Sequence, residues 1–228
     1  MSTRRYGRAT VTLPDLDDDP YLGVITSPPR PGSTVTEFRY TDQDIRALDL
    51  TEADLRNGIV HNVTAQRTTI ENVRFSSVRI TVSDLGSLRL SGSKASRTLF
   101  RDCRLMGAAI TGAVLDNVLF ENCRLDYAIF DQVRASGPLV FDRCVLTEAT
   151  FTGCDLTGAV MRDCVLQATV LGAGTYKDLD LSDNDLSTVR GIAHLREAVI
   201  SRTQQHQLTD ALLAELNVTY SEDLPQRH

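Results

Sequence analysis

LFRDCRLMGAAITGAVLDNVLFENCRL, residues 99–125, carries nearly the same heptad twice, LFRDCRL and LFENCRL, twenty residues apart. A helix turns every 3.6 residues and a strand alternates every two, so neither explains that interval. The interval divides into fives. From Phe100, steps of five reach Leu105, Ile110, Leu115, Phe120, Leu125 and Phe130; backward steps reach Leu90, Leu85, Ile80, Phe75, Ile70, Val60, Leu55, Leu50, Ile45 and Tyr40, with undersized Ala95 and Ala65 between. At SGPLV, near Pro138, the lattice slips by one residue. It then resumes through Phe141, Leu146, Phe151, Leu156, Met161, Leu166, Leu171, Tyr176, Leu181 and Leu186.

Two residue types test this register independently. Six of the seven Phe occupy a central position, Phe38 being the exception, and all five Cys (103, 123, 144, 154 and 164) stand two residues before one. Other residues at that second position are small or β-branched, among them Ala53, Val63, Val73, Val78, Ala108, Ala113, Val118 and Ala128. The remaining three positions are mostly polar. A backbone that buries one large and one small residue in every five must turn a corner every five residues, and four corners make a square coil of twenty. Coils of this kind stack through main-chain hydrogen bonds at the strand spacing of about 4.8 Å. LFRDCRL, LFENCRL, VFDRCVL (140–146) and VMRDCVL (160–166) are then one face seen in four successive coils. Phe100, Phe120, Phe141 and Met161 form one predicted interior column, and Cys103, Cys123, Cys144 and Cys164 another.

LDLTEADLRN, AVLDN and CDLTGAV resemble the A(D/N)Lxx consensus of the pentapeptide-repeat family, over residues 40 to 190. The resemblance implies an all-β fold, a right-handed quadrilateral β-helix. With it goes the expected organisation: an irregular N-terminal arm over 1–38, the repeat helix over 39–190, and over 191–228 a cap carrying an amphipathic C-terminal α-helix. Five of the seven prolines and the acidic run Asp15, Asp17, Asp18 and Asp19 fall in the arm. In TQQHQLTDALLAELNV the helix periodicity spans about three turns, with Ser201 or Thr203 as N-cap. Leu208, Leu212, Leu213 and Leu216 line its apolar face; they serve as a lid on the open solenoid end, or as lid and homodimer contact together, the latter being what the topoisomerase-protecting members of the family imply.

Composition narrows the function classes. At 228 residues and 42% hydrophobic the chain holds enough apolar material for a core, built without tryptophan. A net charge of -6 argues against direct nucleic-acid binding, which needs clustered cations. No apolar run has the length of a signal peptide or a membrane span, so the chain is expected in the cytoplasm. The Cys spacings give no CxxC, and neither a metal nor any other cofactor is expected. SGSK (91–94) matches SxxK but lacks the partners of penicillin-recognising enzymes, DLDLSDND (178–185) lacks the glycine and glutamate of a calcium loop, and GAGT (172–175) lacks the lysine of a phosphate loop. All three read as repeat surface. No catalytic residue is assigned.

Charge is divided along the rod. Residues 40–109 carry 8 Asp plus Glu against 10 Lys plus Arg, whereas residues 110–190 carry 12 against 6. Asp116, Glu121, Asp126, Asp131, Asp142, Glu148, Asp155 and Asp163 are the candidate partner-binding carboxylates. On one face Arg101 lies under Glu121 and Asp142 under Arg162, so neighbouring coils partly neutralise each other. Resemblance to the quinolone-resistance members, Qnr-like and MfpA-like, implies a DNA-mimicking protein that engages DNA gyrase or another type II topoisomerase and protects it from quinolones or a natural poison. The alternative is a structural or adaptor β-helix for an unidentified protein.

Overall fold

If every fifth residue turns inward, identical residue types must lie one above another, and they do. The structure, a computed structural model, describes residues 2–16 and 21–219; Asp17, Asp18 and Asp19 of the acidic run lie outside the described residues, as does the chain beyond 219. The chain winds as a right-handed quadrilateral β-helix of about seven turns, its coils joined by parallel strand pairing, with one carboxyl-terminal helix, Gln205–Glu215 (α1). Tyr40, Val60, Ile80, Phe100 and Phe120 are successive partners in a register of twenty, continuing to Phe141 and Met161. The slip read at SGPLV is visible as a change of register. Leu115 pairs with Ala135, twenty residues on, but Val118 pairs with Leu139, twenty-one on.

Central residues and those two before them fill one continuous interior. Phe120 stacks between Phe100 at 4.8 Å and Phe141 at 5.0 Å, Phe130 stacks on Phe151 at 4.4 Å, and Phe130 meets Phe141 edge-on across the tube. All five Cys are buried free thiols. Burial pushes the Cys144 and Cys154 thiols up, as befits small apolar fillers. Phe38, the outlier of the lattice, occupies a position meant for a small residue. Gly58 in the next coil makes room for it: a Cβ there would stand 2.0 Å from the Phe38 ring. The corners, two residues after each centre, take left-handed backbone, as at Asn62 (φ 52), Asp102 (φ 55) and Asn122 (φ 53).

Two features differ from the sequence expectation. Pairing runs from Gly23 to Val199, past both ends of the lattice read over 39–190: Gly23 and Val24 pair with Phe38 and Arg39 only fifteen residues on, and a one-residue contraction, Asp180 against Val199, hides the last part-turn from a strict count of five. In the segment read as an irregular arm, Ser2–Tyr6 (β1) and Ala9–Leu13 (β2) form an antiparallel hairpin around Gly7 and Arg8. Gly7 has φ 53, as a two-residue hairpin turn requires. Among the described residues no helix is long and apolar enough to cross a membrane.

Candidate functional site

The hairpin lies on the face that carries the repeated heptads. There the residue preceding each centre is apolar and points outward: Leu99, Leu119, Val140 and Val160 stack as a stripe on the outside of the rod. Tyr6, Ala9, Val11 and Leu13 cover it, forming a second small core separate from the interior. Leu119 and Val140 are consequently 0% exposed. The hairpin follows the rod axis. Thr12 donates its backbone N–H to Asn117 Oδ1 (2.8 Å), Arg4 Nη1 reaches Glu121 Oε2 (3.1 Å), and the Arg162 guanidinium sits 5.0 Å over the Tyr6 ring.

An ion ladder borders this stripe. Glu121 is held by Arg101, Arg4 and Arg143, and Asp142 by Arg162 Nε (2.8 Å) and Arg143 Nη2 (3.0 Å). Burial works against the Glu121 anion, but the hydrogen bond and charge of Arg101 with the charges of Arg4 and Arg143 outweigh it and hold the carboxyl below its ordinary value. The pairings of Arg101 with Glu121 and of Asp142 with Arg162 are those read from the coil register.

The eight candidate carboxylates therefore do not form one surface. Glu121, Asp126 and Asp142 are buried, which corrects their reading as outward groups: the hairpin and the arginine ladder enclose Glu121 and Asp142, and Asp126 turns onto Arg124 Nε at 3.0 Å. Asp116, Asp131 and Asp155 are half-buried, with Asp116 receiving Asn117 Nδ2 (2.8 Å) and Asp155 engaged by Thr157 Oγ1 (2.6 Å). Glu148 and Asp163 are exposed. Asp178, Asp183 and Asp185 are exposed as well. Among the described residues no group of three or more His, Cys, Asp or Glu side chains is placed to hold a metal ion.

At that end α1 closes the tube. Ser201 donates its N–H to Gln204 Oε1 (2.7 Å) at the helix entry, and Gln204 Nε2 donates to the carbonyls of Leu181 (2.9 Å) and Asn184 (2.6 Å). Glu215 Oε2 accepts the N–H groups of Gly191 and Ile192, and Gln207 Oε1 that of Leu186. These bonds satisfy backbone groups that the last coil leaves unpaired. Leu208 and Leu212 pack on the interior; Leu213 is half-buried and Leu216 is 63% exposed.

Twenty-residue coils, square section and stacked Phe and Cys columns define the class: a right-handed β-helix made of five-residue repeats. Residues 83–122, 103–137 and 140–171 match the family of pentapeptide repeats in eight copies, so this stretch of the chain carries the repeats of that family. No curated protein matches it. Among solved structures it is similar to full-length QnrB1, a plasmid-mediated fluoroquinolone resistance protein, at 16% identity over 80% of this chain and 91% of that one, with a TM-score of 0.48. It is also similar to HetL, a pentapeptide repeat protein involved in heterocyst differentiation regulation from the cyanobacterium Nostoc, at 18% identity over 73% of this chain and 86% of that one, with a TM-score of 0.26. Likenesses this distant concern the fold alone.

Proposed function

We propose that this protein is a non-enzymatic DNA mimic that occupies the duplex-binding groove of a type II topoisomerase, DNA gyrase in the first instance, and shields it from quinolones or a natural poison. A rod of about seven turns is roughly 34 Å long at the strand spacing, close to the span of ten base pairs at about 3.4 Å each. The supporting observation with most weight is the charge balance of the carboxyl-terminal coils, where residues 110–190 carry 12 Asp plus Glu against 6 Lys plus Arg. Glu148, Asp163, Asp178, Asp183 and Asp185 are exposed in the carboxyl-terminal coils, while Arg124 and Arg143 bind carboxylates there. Asp163 and Asp183 occupy the same corner one coil apart, since the Cys164 N–H bonds Asn184 Oδ1 in the coil below. An anionic ridge of this kind would steer the rod toward a cationic groove.

The test is gyrase supercoiling with and without ciprofloxacin. Wild-type protein at micromolar concentration is expected to inhibit supercoiling and to restore activity in the presence of the drug, and the double variant Asp163→Lys, Asp183→Lys to need at least about tenfold more protein. Absence of both effects in the wild type, or equal potency of the variant, removes this reading. The same proposal seats a second copy on the Leu213 and Leu216 edge of α1. Sedimentation of the full chain should then give a dimer that Leu216→Arg converts to a monomer, whereas a monomeric wild type would discard the dimer.

A second reading, an adaptor for another protein, draws on the exposed Met106, Tyr127 and Ile129, which sit on neighbouring coils away from the acidic corner. It predicts a pull-down partner insensitive to Asp163→Lys, and loss of that partner with Tyr127→Ala; retention would dismiss it.

A further inference from the structure

The hairpin carries an open hydrogen-bonding edge. Because the Thr12 N–H leaves the hairpin for Asn117, Thr3 and Thr12 form a non-hydrogen-bonded pair, and alternation makes Arg5 and Thr10 another. In such pairs both residues direct N–H and C=O to the outer edges. On β2 the outward N–H of Thr12 is met by Asn117. On β1 the outward groups of Thr3 and Arg5 make no hydrogen bond among the described residues, and both residues are exposed. The Arg5 side chain folds back to the Gly7 carbonyl (3.3 Å) and leaves the edge clear.

Beside this edge runs a groove of about 390 Å³ lined by Arg101, Asp102, Glu121, Asn122 and Arg143. The groove lining is balanced, Arg101 and Arg143 against Asp102 and Glu121; the positive excess is on the hairpin, where residues 2–13 carry Arg4, Arg5 and Arg8 and no carboxylate. We propose that the outer edge of β1 is a docking site for an acidic, extended segment of a partner protein, which adds as a third strand and lays its carboxylates beside the hairpin arginines. Exposed edge strands commonly carry cations to repel stray pairing; here Arg4, Arg5 and Arg8 repel basic strands and admit acidic ones. This docking does not rest on the topoisomerase reading.

The experiment measures fluorescence anisotropy of the labelled peptide Glu-Val-Glu-Val-Glu-Val with the full chain, against Lys-Val-Lys-Val-Lys-Val. The acidic peptide is expected to bind and the basic one not to. Thr3→Pro removes an outward N–H while sparing the hairpin's own ladder, and should weaken binding at least about tenfold; Thr3→Val should bind as wild type. Exchange protection of the Val11 amide reports that the hairpin of Thr3→Pro is still seated. If it is not, the comparison rests on Arg5→Glu, which should weaken the acidic peptide by a similar factor. No binding of the acidic peptide, equal binding of the basic one, or unchanged affinity in the seated Thr3→Pro or in Arg5→Glu overturns the assignment.

Discussion

Phe120→Ala is expected to lower unfolding stability by about 4 kcal/mol, measured as the shift of the urea transition. Phe120 is sandwiched between Phe100 and Phe141 at 4.8 and 5.0 Å, so its removal strips both rings of a stacking partner. The cavity cannot close readily, because coil spacing is fixed by main-chain hydrogen bonds such as those from Asp102 N–H to Glu121 O and from Asn122 N–H to Asp142 O. Phe120→Leu, which refills most of the volume, should cost only about 1 kcal/mol. A loss below about 1 kcal/mol for the alanine variant would mean that this column is not interior.

Val11→Asp should release the hairpin and leave the rod intact. Val11 is 0% exposed on the stripe of Leu119 and Val140, where an unpaired carboxylate would cost several kcal/mol. A two-stranded hairpin has little stability of its own to set against that. Trypsin should then cleave after Arg4, Arg5 and Arg8 at least about tenfold faster than in the wild type, while the strand circular dichroism stays unchanged. Leu99, Leu119, Val140 and Val160 would be uncovered, so dye binding and concentration-dependent association should rise together. Unaltered cleavage would show that the stripe does not hold the hairpin; loss of strand signal would show that the hairpin supports the coils themselves.

The β-helix was legible because its period is written locally. Every coil needs a large residue at the centre and a small one two before it, so Phe100, Phe120 and Phe141, like Cys103, Cys123 and Cys144, repeat the requirement in the sequence. The slip near Pro138 was legible for the same reason, since one extra residue displaces everything after it. Carboxylate exposure was not. Glu121 and Asp142 occupy outward positions of the repeat, and the arginines of neighbouring coils enclose them together with Arg4 of the hairpin, which reaches Glu121 from 117 residues away along the chain.

Signals for the hairpin were nonetheless present. Ala9–Leu13 alternates apolar and polar residues, Gly7 offers a tight turn, and the first letter of LFRDCRL, LFENCRL, VFDRCVL and VMRDCVL is apolar where the repeat asks for a polar residue. Those two halves are complementary only when brought together. The sequence by itself determined the coil, its register and its columns, because each depends on neighbours five or twenty residues away. Which outer face is covered, which acids stay open and how the last coil is sealed were decided by tertiary structure, because burial there depends on a distant segment folding back onto the rod.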